Sequence, residues 1–225
     1  MHIAPTQNTE PRKSTGTLKL IFKNVAYTLA TFLVLPLALP ELLLQRVFGC
    51  DVWFRAQAQL LSLLPGKIGV HIRGAYYHLM LPRCPLGTGF QFGTVINAHA
   101  EIGERVCSGE YVHIGVANIG DDCMISQGAQ ILSGKFSHNI AEPGIPFNQQ
   151  ISLSTRVHIG RNCWIGANAV VMADVGENCV VGAGAVVTRT FPSNKILLGN
   201  PARPVADTFE AKPVEPGTIS HSAVH

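Results

Sequence analysis

From Ile96 onward, an aliphatic residue returns every six positions. The template is an aliphatic residue, often a glycine, two free residues, a small residue and one more free residue. Ile102-Gly103-Glu104-Arg105-Val106-Cys107 follows it, as do the stretches from Ile119 and from Ile125. The cycle resumes at Ile159, Ile165, Val175 and Val181. A period of six matches neither an amphipathic helix at 3.6 nor a strand at 2. It predicts a triangular solenoid in which each hexad makes one short strand and one corner. The aliphatic residue points inward, and the glycine or another small residue permits the corner. Roughly thirteen hexads, three to a coil, give a parallel β-helix of about four to five coils. No single coil buries a core, so stability comes from stacking.

The cycle slips twice. Ile114 to Ile119 is a five-residue step, and Val171 to Val175 is four. It stops altogether at "LSGKFSHNIAEPG", residues 132–144, a polar stretch with one histidine, His138. Repeat geometry does not explain those polar residues.

The first third of the chain has a different pattern. Residues 1–17 are polar and read as a flexible terminus, and residues 18–82 form a mostly helical apolar segment. Residues 83–206 hold the solenoid, and 207–225 are a tail. Within the helical part, "VAYTLATFLVLPLALPELLL" (25–44) approaches the roughly 20 apolar residues a bilayer span requires. Pro36 and Pro40 interrupt it and Glu41 charges its end. Arg12, Lys13, Lys19 and Lys23 precede it; Arg46 and Arg55 follow. The reading is a proline-kinked hairpin or interfacial helix in one leaflet, its cations on anionic headgroups. A tilted span and a helix packed on the protein's own body are the alternatives. This places the protein in the cytoplasm, peripheral on the inner face of the cytoplasmic membrane.

Composition adds exclusions. The chain is 47% hydrophobic and 14% charged, with a net charge of +3. Wholesale disorder is excluded, and there is no concentrated basic patch for nucleic acid. Six cysteines show no CxxC or CxH spacing. Cys123, Cys163 and Cys179 each take the small position of a hexad, so they read as buried filler. Cys50, Cys84 and Cys107 have no assigned role.

The hexad cycle, the histidine-bearing interruption, "WIGANAVV" (164–171) and "VVGAGAVVTRTFPSNKILLGNPARPV" (180–205, with "GNPAR" at 199–203) resemble the hexapeptide-repeat acyltransferases. The likeness covers about residues 84–206. It is greatest to the sugar O-acetyltransferases of bacterial exopolysaccharide, capsule and colanic-acid pathways. It implies a left-handed parallel β-helix, all-β, usually a homotrimer. It further implies acetyl-CoA as acyl donor, a sugar or lipid-linked saccharide as acceptor, and no metal.

By this resemblance, His138 is the general base. A sugar hydroxyl is a poor nucleophile until its proton is removed, and neutral imidazole suits that task near pH 7. Asn139 stands where related enzymes often have Asp, which leaves the partner of His138 open, with Glu142 one possibility. Donor contacts carry over to Ala167, Ala183, Thr188, Arg189 and Arg203, in a groove between subunits. Arg189 and Arg203 supply charge for nucleotide phosphates. The Ala167 amide is a candidate oxyanion donor. Trp164 reads as an outer packing residue. His113 and His158 read as surface residues, with orientation of His138 or the acceptor as the alternative. Together with His99 they leave open a γ-type carbonic anhydrase-like zinc site. A non-catalytic β-helix scaffold is the third reading.

Overall fold

The structure is a computed structural model that describes residues 17–48, 52–135 and 143–210. Three helices precede the solenoid: α1 (Thr17–Phe48), α2 (Val52–Ser62) and α3 (Gly66–Met80). Fourteen short strands follow, most of two residues. Sheet C runs β1 (Val95–Ile96), β4 (His113–Ile114), β7 (Gln130–Ile131), β10 (Val170–Val171), β12 (Val186–Val187). Sheet B runs β3 (Cys107–Ser108), β6 (Met124–Ile125), β9 (Trp164–Ile165), β11 (Val180–Val181), β13 (Lys195–Leu198) and the antiparallel β14 (Arg203–Asp207). Sheet A joins β2 (Glu101–Ile102), β5 (Ala117–Ile119) and β8 (Val157–Ile159), and single bridges extend it from Ile159 to Val175 and Phe191. The chain visits A, B and C in turn, one strand per face, and each new strand pairs parallel with one from the coil before.

The period of six is the reason for this register. Ile102, Ile119, Ile159, Val175 and Phe191 stack on sheet A; Ile125, Ile165, Val181 and Leu197 on B; Ile96, Ile114, Ile131, Val171 and Val187 on C. All are buried. The small positions line the same core: Val106, Cys123, Ala129, Cys163, Ala169, Cys179 and Ala185 are buried too. The three cysteines are filler, as their positions predict. Their thiols also donate across the coils, Cys123 to Gly160 O and Cys163 to Gly176 O. The hydrogen bond with Cys123 pushes the Cys163 thiol up to about 12, so it is no nucleophile at neutral pH.

The turning residue is not the glycine of the second position. At Gly103, Gly120, Gly160, Gly166 and Gly176 the backbone of the next coil passes too close for a side chain. A methyl at Gly160 would lie 2.4 Å from the Glu177 nitrogen. The left-handed turn falls instead on the fourth position of the hexad, called free above: Arg105, Asp122, Asn162, Asn168 and Asn178 all have φ between 55° and 61°. Asn and Asp tolerate that region better than other side chains. Asn162, Asn178 and Asn194 further hydrogen-bond in a column at 2.9 and 3.0 Å. Gly160→Ala therefore costs stability by overpacking two coils, roughly 1–3 kcal/mol in a denaturant melt.

The helices cap the first coil. α1 buries one stripe, Tyr27, Ala30, Val34, Ala38 and Glu41, and packs along α3. No hairpin forms at the prolines. α1 runs unbroken for 32 residues with Pro36 and Pro40 inside it and on its exposed side, where packing against the body is not disturbed. Nor does Glu41 end a lipid-facing run. It is buried, and its Oε1 accepts a hydrogen bond from Phe54 N–H in the first turn of α2 at 3.0 Å. A carboxylate there satisfies an orphan donor and the helix dipole.

Candidate active site

Both period slips and the interruption fall on one edge of the prism. The inward positions step from sheet C to sheet A by a full hexad in the first coil, Ile96 to Ile102, and then irregularly: Ile114 to Ile119, Ile131 to Ile159, Val171 to Val175 and Val187 to Phe191. The other corners keep the hexad; beyond the first coil this edge does not. The interruption leaves the β-helix after β7 and returns at β8. Its neck is closed by Thr155 N–H donating to Ser133 O at 2.9 Å. Ser133 Oγ accepts from Val116 N–H at 2.9 Å, which fastens the neck to the coil below. Gly134 has φ +85°, and a methyl there would lie 2.8 Å from Thr155 Cβ, so the neck requires glycine. Beyond the neck, residues 143–154 include a short 3₁₀ turn, Phe147–Gln149, and the buried Gln150, whose Nε2 donates to Ile145 O. His138, with Asn139 and Glu142, lies outside the described residues.

Two clefts flank the neck. One, about 320 Å³, is lined by Gly134, Lys135, Thr155, Arg156, Asp174, Thr188 and Arg189. Its cations are Lys135, Arg156 and Arg189, of which Arg156 is paired with Glu101 at 3.5 Å, and they still outnumber the carboxylates Asp174 and Glu101, which suits the cleft to an anion. Asp174 is engaged by His158 N–H at 2.8 Å, and Arg156 by Asn118 at 2.6 Å. The Arg189 guanidinium lies over the Phe191 ring at 5.2 Å, which orients it without neutralising it. The other cleft, about 590 Å³, opens between α2 and sheet C. Arg55 and Gln59 form one wall; Asn97, His113, Gly115 and Ser133 form the other. His113 is exposed on its strand, but the cleft walls exclude part of its solvent, and this partial desolvation, with the Arg55 charge second, pushes its imidazole down from its ordinary value.

The five donor residues named from the sequence fall into two groups. Thr188 and Arg189 lie together in the cationic cleft on the C–A edge. Ala167 and Ala183 stack on the B–C edge, where Gly184 N–H donates to Ala167 O at 2.8 Å. Arg203 follows above them, after Ala202 N–H, which donates to Val186 O, and opposite Leu198. One chain does not bring the two groups into one cleft. Trp164 is exposed on sheet B, its indole N–H on Ser126 Oγ at 3.0 Å. His99 is on a corner turn, His113 on sheet C and His158 on sheet A. No group of three metal-capable side chains converges among the described residues.

The family model for the hexapeptide repeat of succinyl-transferase matches residues 156–189. That stretch of the β-helix is a hexapeptide repeat. No curated protein matches it in sequence. In structure, this β-helix is similar to a maltose O-acetyltransferase from Clostridium difficile 630, with TM-score 0.60 and 21% identity over 68% of this chain and 84% of that one. A hexapeptide-repeat containing acetyltransferase from Vibrio cholerae gives 0.54 and 21% over 68% and 90%. A galactoside acetyltransferase in complex with coenzyme A gives 0.51 and 21% over 68% and 80%. The shared fold is the left-handed parallel β-helix.

Of the residues of the second cleft, the sequence marks only His113 and Arg55, and Arg55, expected at the headgroups, lines this cleft instead. Arg55, Gln59, Asn97 and Ser133 follow no motif. The signal available was the short step at Ile114 to Ile119, which marks the irregular edge beside the cleft.

Proposed function

We propose that this protein is an acyl-CoA-dependent O-acetyltransferase acting on a saccharide hydroxyl, with His138 as general base. One observation carries the reading most directly. The loop that bears His138 rises from a neck whose two consecutive residues, Ser133 and Gly134, wall two different clefts. A ternary complex needs two adjoining sites, one for the donor and one for the acceptor.

The chemistry is direct transfer. The His138 imidazole takes the hydroxyl proton as the oxygen attacks the thioester carbonyl. A carbon–oxygen bond forms and the carbon–sulfur bond breaks. The imidazolium returns its proton to the departing thiolate, so nothing else is consumed. Arg189, with Lys135 and Arg156 beside it, meets the donor's phosphates. In the second cleft Arg55, Gln59, Asn97 and neutral His113 offer the donors and acceptors that a polyhydroxylated ligand requires. The separation of Ala167, Ala183 and Arg203 from Thr188 and Arg189 fits a homotrimer. There the C–A edge of one copy and the B–C edge of the next would hold one acyl-CoA. A surface-glycan or exopolysaccharide unit, free or lipid-linked, is the acceptor class.

Thiol release from acetyl-CoA, measured against nucleotide sugars, lipid-linked sugars and oligosaccharides, tests this. Acceptor-dependent release with at least one class is the expected result. Release that no acceptor stimulates overturns it.

A further inference from the structure

The helical cap carries an exposed apolar surface that the β-helix does not use. On α1, Leu29, Phe32, Leu33, Leu39 and Leu43 face outward, opposite the buried stripe from Tyr27 to Glu41, and Ile68 of α3 continues the surface. An apolar patch of this extent marks a membrane or protein interface. Between α1 and α3 runs a groove of about 350 Å³, lined by Ala26, Leu29, Ala30, Leu33, Ile68 and Ile72, with Lys67 and His71 as its polar residues.

Val25–Leu44 is long and apolar enough to cross a bilayer. Its contacts forbid that orientation. Near one end, the Tyr27 hydroxyl donates to Thr88 O, at the base of the β-helix, at 2.9 Å. Near the other, Glu41 holds the first turn of α2. The two are fourteen residues apart, roughly 21 Å along the helix. Both ends of the apolar window are therefore fixed to the polar body. A helix so held lies flat against that body and turns only one side outward.

We propose that the cap docks on an anionic bilayer with α1 parallel to the membrane plane, within one leaflet. The groove between α1 and α3 takes one acyl chain of a phospholipid, whose headgroup phosphate meets Lys67. The charge complementarity and the continuity of groove with exposed face select lipid over a second copy of the chain. In-plane burial of an apolar helix face with a cation at headgroup level is the physics of a monotopic anchor. The inference is independent of the acetyltransferase reading, because its tests need no turnover.

The full chain should co-sediment with vesicles of phosphatidylcholine mixed with phosphatidylglycerol. Phe32→Glu combined with Leu33→Glu, both on the outer face, should abolish this with the circular dichroism unchanged. Lys67→Ala should weaken binding about fivefold on the anionic vesicles and leave binding to pure phosphatidylcholine unaltered. Equal weakening on both lipids, or none, overturns the groove assignment. Orientation is read from Leu29→Trp and Leu43→Trp, each in a Trp53→Phe, Trp164→Phe background, with lipids brominated at graded depths. Quenching of both at one shallow depth is expected; depths in opposite leaflets would overturn the in-plane placement. If the full chain ignores vesicles and the double glutamate variant instead splits an oligomer, the surface belongs to a second copy and the proposal fails.

Discussion

His138→Ala lowers acceptor-dependent turnover by roughly 10²–10⁴-fold, the usual contribution of a positioned base. The melting temperature stays where it was. The loop's neck closes through Thr155 N–H on Ser133 O and through Gly134, all of which the variant retains. The KM for acetyl-CoA should also be preserved, since the proposed phosphate contact, Arg189, is unchanged. The pH profile gives a sharper readout. Activity that needs a neutral imidazole rises with pH as that imidazole loses its proton and then levels. The alanine variant loses the rising limb. Turnover within a fewfold of the parent, with that limb intact, would sink the assignment. His113→Asn is then the discriminating companion. Its imidazole is held neutral in the cleft beside Arg55, so as a positioning residue it shifts the acceptor KM more than kcat.

How far the sequence anticipates this geometry depends on what each residue meets. The solenoid is legible because its inward positions see only their own equivalents one coil away. Ile119 meets Ile159, and Ile125 meets Ile165, so the pattern repeats in the chain as it does in space. The turning positions were visible but misread. The Asn, Asp and Gly residues at the fourth place of the hexads are a left-handed signature, whereas the glycines at the second answer to a neighbouring backbone. The slips at Ile114 and Val171 mark one edge, which only the order of sheets makes plain. α1 resists reading for the opposite reason. Pro36 and Pro40 argue locally for a break, and tertiary packing of Val34, Ala38 and Glu41 on the opposite side overrides them. The second cleft has no local signature at all. Arg55 and Gln59 come from α2, and Asn97, His113 and Ser133 from three coils, brought together only by how the cap sits.

That seating rests on Arg73, and Arg73→Met should cost about 3 kcal/mol or more in a reversible denaturant melt. The side chain is fully buried without an acidic partner among the described residues. Its guanidinium instead donates to four backbone carbonyls: Leu61 at 3.0 Å, Ser62 at 3.3 Å and Leu64 at 2.7 Å around the end of α2, and Phe90 at 3.0 Å at the base of the β-helix. The last carbonyls of a helix have no partners of their own, and a cation there also meets the negative end of the dipole. Methionine fills much of the volume but withdraws the donor from the Leu64 and Phe90 carbonyls, at about 1–3 kcal/mol each where water cannot reach them, whereas Ser62 O keeps Gly93 N–H and Leu61 O keeps Leu64 N–H. Arg73→Lys should recover only part, because one ammonium does not reproduce a planar fork spanning two elements. Function should follow in a defined order. α2 carries Arg55 and Gln59, so if the proposed assignment of the two clefts holds, loosening it raises the acceptor KM before the KM for acetyl-CoA. A melt shift under 1 kcal/mol, or equal losses for donor and acceptor, would show that the cap is held by its apolar contacts with α1 instead.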